Sequence, residues 1–319
     1  MQIQLTLYNI RAIIHSSISP ADHGTYEKEK WIMKKIIAIA LAALLALSLF
    51  AGCGADPAAD ADGIKLVNDG KLTVAISPDF APMEFVIYTE DGSTEYAGFD
   101  VMLAEYLAEE MGLELVIMPM DFGACQTAVQ MGTVDMSISG FSKTEERAEN
   151  YCLSDFYYAG ENETEQVLIT LAGNEGLYTT AESLAGKKVG AQTASLQYNM
   201  CVNQLPETEI VIFTDLTTGL LQLQNGDFDV MAVAGGNADA MIANNSGIIK
   251  SGFEFVVSSD EENNVILLNK NSIALTAKVN ELLAKAYESG FYGNWYAQAK
   301  ELAGIGVEVS YDENGNPLT

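Results

Sequence analysis

Residues 99–138, FDVMLAEYLAEEMGLELVIMPMDFGACQTAVQMGTVDMSI, decide the fold. The stretch opens with Asp100 as the expected N-cap, sets Leu103, Leu107 and Met111 on one helical face, and stops at Gly112. LELVIM then reads as a strand, ACQTAVQMG as a short helix and VDMSI as another strand. This βαβ alternation predicts an α/β fold, a mostly parallel sheet with helices on both faces. Upstream, LTVAI (72–76) has the apolar run of a buried strand. Downstream the alternation returns: KKVGA strand, SLQYNMCVNQL helix, EIVIF strand, LTTGLLQLQNG helix, DVMAV strand, ADAMIANN helix and FEFVV strand. Two such units share one chain.

A weak internal repeat links them, AVQMGTVDMSISGFS (128–142) beside QLQNGDFDVMAVAGGN (222–237). Each is a helix closed by glycine, a two-residue gap, an aspartate, an apolar strand and a Gly-containing loop. Any two βα units share much of this pattern. In open α/β sheets ligands sit at the carboxyl ends of strands, so these loops are the expected mouths of two facing lobes.

Residues 33–53, MKKIIAIALAALLALSLFAGC, read as an export signal, with a basic pair, an apolar run and small residues before Cys53. The run is shorter than the ~20 residues of a spanning helix. Residues 1–32 lie upstream of that signal, and translation is expected to begin at Met33. GADPAADADG (54–63) has the composition of a tether. Residues 305–319 form the expected tail, which ends in the polar, turn-rich YDENGNPLT (311–319).

From Cys53 onward eleven Lys and Arg stand against forty-one Asp and Glu, a net charge near −30. Such a surface repels phosphate backbones, so nucleic acid is not an expected partner. Both histidines, His15 and His23, precede Cys53, which removes His-dependent nucleophiles and His-ligated zinc. Cys125, Cys152 and Cys201 are odd in number and widely spaced, and fit neither a metal knuckle nor a disulfide framework. No metal and no cofactor is expected.

Arg147 is the only arginine after the export signal. It follows SGFS (139–142), where Gly140 and Ser142 leave a strand and SKTE (142–145) has the form of a capping box. A guanidinium binds two carboxylate oxygens at once, which lysine cannot do. Two readings stand here: Arg147 holds an anionic group of a ligand, or it forms a surface ion pair with Glu145, Glu146 or Glu149.

Residues 97–158 resemble the amino-acid type (family 3) of bacterial ABC-transporter solute-binding proteins. GFD before the helix, Gly-x-x-Asp ahead of the strand, SGFSKTEERA and SDFYY follow that family's order and spacing. The resemblance runs from about Lys65 to Leu302. It implies a two-lobed, periplasmic-binding-protein-like fold of type II, with two mixed sheets flanked by helices and joined by a two-segment hinge. Lobe 1 is then 64–160 and 265–304, and lobe 2 is 161–264, hinge segments included. The signal resembles that of a lipoprotein, with Cys53 (53–63 being the tether) lipidated at the extracellular face of the membrane, although Phe50 stands where leucine is usual.

The resemblance also assigns a ligand site. Arg147 matches the clamp on an amino acid's α-carboxylate, Ser142 a ligand hydroxyl and Gly140 a ligand-facing backbone group. Phe80 and Phe122 match opposite aromatic walls, Phe141 stands beside them, and Ser77 matches a position that often contacts the ligand side chain. In VGAQTASLQ, Ser195 is expected to add an N–H and a hydroxyl, with Ala194 in place of the usual glycine. The main departure is Ala234, where an aspartate commonly accepts the ligand's ammonium. Burying an ammonium without a counter-charge costs several kcal/mol. Either another carboxylate such as Asp239 or Glu84 substitutes, or the ligand has no α-ammonium.

The implied function is a monomeric receptor that passes an amino acid or related carboxylate, its side chain neutral, apolar or aromatic, to an ABC permease. An alternative is an enzyme of the same fold, a prephenate or arogenate dehydratase, with Glu84 as general acid. A sensor ectodomain is a third possibility.

Overall fold

The computed structural model describes residues 63–305 except 90, 159–164, 260 and 262. The export signal, Cys53, the tether, the tail and most of the two crossings expected between lobes lie outside the described residues. Among those described, no helix is long and apolar enough to cross a membrane.

Two five-stranded sheets carry the molecule. In the first, β1 (Lys71–Ile76) lies parallel to β5 (Glu114–Pro119) and β6 (Met136–Ser142). β13 (Asn264–Leu268) returns antiparallel beside β6 and beside β7 (Cys152–Leu153), for the order β5-β1-β6-β13-β7. In the second, β9 (Lys188–Gln192) is parallel to β10 (Glu209–Phe213) and β11 (Val230–Ala234). There β8 (Gln166–Leu171) pairs antiparallel with both β11 and β12 (Ile248–Glu254), giving β10-β9-β11-β8-β12. A small meander of β2 (Asp79–Phe80), β3 (Glu84–Tyr88) and β4 (Thr94–Ala97) sits apart from both. Strand chemistry follows position. β11 and β13 are buried at every residue, while the edge strands β5 and β10 are partly exposed.

Helices cover each sheet as the apolar spacing predicts. α1 (Phe99–Glu110) buries Phe99, Leu103 and Leu107 and leaves Glu105, Glu109 and Glu110 outside. α2 (Phe122–Met131), α3 (Glu145–Asn150), α8 (Ile273–Glu288) and α9 (Phe291–Leu302) complete the first lobe. In its core the ring of Phe99 meets Tyr157, Tyr158, Tyr292 and Trp295 at centroid distances of 5.2–6.1 Å, which ties α9 back to α1. The second lobe carries α4 (Ala181–Leu184), α5 (Leu196–Gln204), α6 (Leu216–Asn225) and α7 (Gly235–Asn244), with an apolar cluster on each face of its sheet.

The internal repeat has a structural meaning. α2 and α6 both end on a left-handed glycine, Gly132 (φ 68°) and Gly226 (φ 79°). Three residues later, Asp135 accepts from the Thr73 N–H at 2.7 Å and Asp229 from the Lys188 N–H at 2.9 Å. Each aspartate therefore fixes the start of the strand next to its own, and the two lobes are built by the same local device.

Three expectations change. Gly98, not Asp100, is the N-cap of α1, and the Asp100 carboxylate is buried, accepting from the Gly140 N–H at 2.9 Å. Thr144 caps α3 in place of Ser142, accepting from the Arg147 N–H at 3.2 Å. The last strand of the second sheet is Ile248–Glu254 and ends inside FEFVV, because pairing with β8 fixes its register. β8 itself, QVLITL, and the β2–β4 meander had been assigned no element.

Close packing makes one position in the second lobe unforgiving. A Cβ on Gly190 would lie 2.6 Å from Cε2 and 2.7 Å from Cε1 of buried Phe228. Gly190→Ala is expected to destabilise the protein by about 1–3 kcal/mol, read as a fall in the midpoint of urea unfolding with an unchanged slope.

Candidate functional site

β6 and β9 end facing one another across the lobes, and the loops that follow them build the site. β6 carries Gly140 and Ser142 at its carboxyl end, and the chain then enters α3, whose Thr144 cap sets the first turn. That turn aims Arg147 back toward the strand end. Its Nη1 donates to the Ser142 carbonyl at 2.6 Å, and its Nη2 crosses to the Ala194 carbonyl of lobe 2 at 3.1 Å. The guanidinium carbon lies 5.7 Å from the Phe122 ring centroid and 5.2 Å from that of Phe141, and the two rings stack at 4.8 Å.

Arg147 is only 4% exposed. None of Glu145, Glu146 and Glu149 forms an ion pair with it, so the surface-pair reading fails. Burial without an anionic partner pushes the guanidinium down to about 10.

The second lobe contributes a turn after β9. Ala194 takes a left-handed φ of 58°, the conformation glycine would adopt more cheaply. Its carbonyl thereby receives Arg147 and also the Gln126 amide at 3.1 Å. Next to it, Ser195 caps α5 by accepting from the Tyr198 N–H at 3.0 Å, which leaves its hydroxyl proton for another acceptor. A further contact between lobes is the Asn237 amide, donating to the Ala81 carbonyl at 3.1 Å.

The cleft is lined by Phe80, Phe122, Gly140, Ser142, Arg147 and Ser195 from the sequence expectation, and also by Asp79, Ser139, Gln192, Leu196 and Gln197. The other expected residues sit behind this lining. Phe141 is fully enclosed and packs against Phe122, because strand alternation turns it inward between Gly140 and Ser142. Ser77 is buried and its hydroxyl donates to Asp79 Oδ1 at 3.0 Å. Ala194 contributes through its carbonyl, and Ala234 ends β11 buried, paired with Gln166.

Asp79, which sequence reasoning passed over, bridges the lobes. Its Oδ2 accepts from the Leu216 N–H at 2.6 Å and the Gln192 amide at 3.4 Å, both in lobe 2. Burial raises its pKa to about 6. The signal available in the sequence is its position immediately before Phe80, in the short strand β2.

Behind the lining lies a buried acid pair. The Ser139 hydroxyl donates to Glu84 Oε1 and itself accepts from the Ser77 N–H at 2.9 Å. Asp100 Oδ2 takes the Gly140 N–H and the Tyr157 hydroxyl. Desolvation first, then the neighbouring Asp100 charge, drives Glu84 well above the carboxylate range, and desolvation raises Asp100 to about 6. A larger groove of about 560 Å3 between α1 and α9 is lined by Glu105, Glu109 and Glu110 with no cation, so it does not suit an anion.

The acid pair sets a pH dependence. A carboxyl whose folded pKa is raised binds its proton more tightly in the folded state. It therefore contributes stability that is full below its unfolded value near 4 and lost as pH rises through about 6. For the Asp100 contribution, the unfolding free energy of the wild type is expected to fall between pH 4 and pH 7, and Asp100→Asn is expected to flatten that slope in urea titrations.

Residues 72–299 match the family described as bacterial extracellular solute-binding proteins, family 3. A probable histidine-binding protein of Neisseria gonorrhoeae is 30% identical, over 84% of this chain and 97% of that protein. The arginine-binding extracellular protein ArtP of Bacillus subtilis is 27% identical, over 81% of this chain and 94% of its own. Among solved structures, an amino acid ABC transporter substrate-binding protein from Streptococcus pneumoniae, bound to L-arginine, superposes with a TM-score of 0.67 at 30% identity, covering 73% of this chain and 96% of that one. The lobes, the sheet orders and the matched span leave one conclusion: the chain belongs to the bacterial extracellular solute-binding proteins, family 3, and is a solute-binding protein rather than an enzyme.

Proposed function

We propose that this protein captures an amino acid or related small carboxylate between its lobes and delivers it to the permease of an ABC importer. The observation that carries the reading is Arg147, a buried guanidinium at the meeting of both strand ends that forms no ion pair among the described residues. A desolvated cation in that position gains most from a ligand carboxylate, which also removes the cost of its burial. Ser142 and Ser195 offer hydroxyls to the same oxygens, and Gly140 lets the backbone approach. Phe80 and Phe122, both half-buried, supply walls for a neutral side chain, apolar or aromatic. The relatives named for arginine and histidine support the amino-acid class.

The reading includes anchorage through Cys53 at the extracellular face, action as a monomer and closure of the lobes over the ligand. A dehydratase has no support: Glu84, its expected general acid, is fully enclosed behind Ser139 and absent from the cleft lining.

Calorimetric titration of the purified protein with the twenty amino acids and their deaminated acids tests this. A ligand bound by the wild type is expected to bind Arg147→Lys at least about tenfold more weakly, about 1.4 kcal/mol, because an ammonium cannot reproduce the planar fork. Equal affinities in the two proteins would remove Arg147 from the site.

A further inference from the structure

The interlobe lining contains two charged side chains, Arg147 and Asp79, of opposite sign. They form no ion pair with each other, and no other described residue pairs with either. We propose that Asp79 receives a cationic nitrogen of the ligand, so that the cleft takes a molecule carrying a carboxylate at Arg147 and a cation at Asp79. This rests on the carboxylate reading of Arg147 given above.

Hydrogen-bond accounting supports the assignment. Asp79 accepts from the Ser77 hydroxyl, the Leu216 N–H and the Gln192 amide, and all three donors are neutral. None of them supplies the positive charge that an ionised carboxylate gains most from. Asp79 is half-buried, in the lining itself, next to the aromatic wall Phe80.

The other carboxylates that could serve are disqualified by their surroundings. Ala234 has no acid to offer. Glu84 is sealed off with Asp100, and Asp239 is ion-paired with Lys250 at 3.0 Å.

Electrostatics point the same way. Closure leaves the Asp79 carboxylate desolvated and near Asp215 at the start of α6, both of which oppose its charge. A ligand cation offsets both costs, and it does so only when the lobes are together, since Leu216 and Gln192 reach Asp79 from the opposite lobe. A cation at Asp79 thus adds to the lobe contacts that Leu216 and Gln192 make there, as a carboxylate at Arg147 adds to its contact with Ala194.

The cation can be an α-ammonium or a side-chain group, and paired ligands separate them. Isothermal titration of wild-type protein compares L-phenylalanine with 3-phenylpropanoate and L-arginine with 5-guanidinopentanoate. 3-Phenylpropanoate, the one acid of the four without a cation, is expected to bind at least about tenfold more weakly than a ligand that places a cation at Asp79. Asp79→Asn is expected to erase that ratio by weakening the cation-bearing ligand at least about tenfold more than the cation-free acid. A gap within both pairs assigns the α-ammonium, and 5-guanidinopentanoate binding as well as L-arginine assigns the side chain.

Melting of the unliganded variant checks its fold. Asp79→Ser, a smaller neutral acceptor for Leu216, repeats the measurement if asparagine is not tolerated. An equal loss for cation-bearing and cation-free ligands in both variants would overturn the proposal, leaving Asp79 as a lobe contact and Arg147 as the carboxylate clamp. Binding of none of the four by the wild type would overturn both readings.

Discussion

One buried guanidinium organises the interior face of each lobe. Arg147 spends two of its five donors on backbone carbonyls, Ser142 in its own lobe and Ala194 in the other. The residues around it keep that geometry. Thr144 caps the turn that aims the side chain, Phe122 and Phe141 stack beneath its plane, and Ala194 accepts a left-handed backbone so that its carbonyl faces across the cleft. A lysine could supply the charge but not the span, because three rotating donors on one nitrogen do not reach carbonyls on opposite sides in a fixed plane. Hence ten lysines serve the surface beyond the export signal, and the single arginine sits where two lobes meet.

The sheets were legible because their central strands are unbroken apolar runs and their helices keep a regular apolar spacing. LTVAI, VDMSI, KKVGA, EIVIF and DVMAV each fall on a strand. What escaped was set by distant partners. QVLITL gains its place only by inserting antiparallel between β11 and β12, which no local pattern announces. Asp100 has the composition of an N-cap and the position of one, yet the Gly140 N–H, forty residues away in sequence, draws it into the core.

Within the site, resemblance placed the arginine, the serines and two aromatic walls, and the structure brings them to one lining. It gave less for side chains whose role depends on orientation. Phe141 lies between two lining residues in the chain, but successive residues of a strand face opposite ways, so it supports Phe122 from behind. Asp79 had no counterpart in the expected set, and it became visible only when Leu216 and Gln192 of the other lobe were found on its carboxylate.

The chain's overall charge bears on which ligands such a cleft can take. With a net charge near −30 after the export signal, the mean potential around the protein is negative, although salt limits its reach to about 8–10 Å. A simple carboxylate must approach against that field and meets an attractive partner only at Arg147. A zwitterion carries no net charge, so it meets no such barrier, and within the cleft it finds a separate partner for each end. The acidic surface and the couple of Asp79 and Arg147 therefore select in the same direction: the first by discouraging net anions before contact, the second by offering a partner to each charge. Asp79 joins the lobes through Leu216 and Gln192 and also sets a negative charge in the cleft lining, so it carries information about the ligand that Arg147 alone does not.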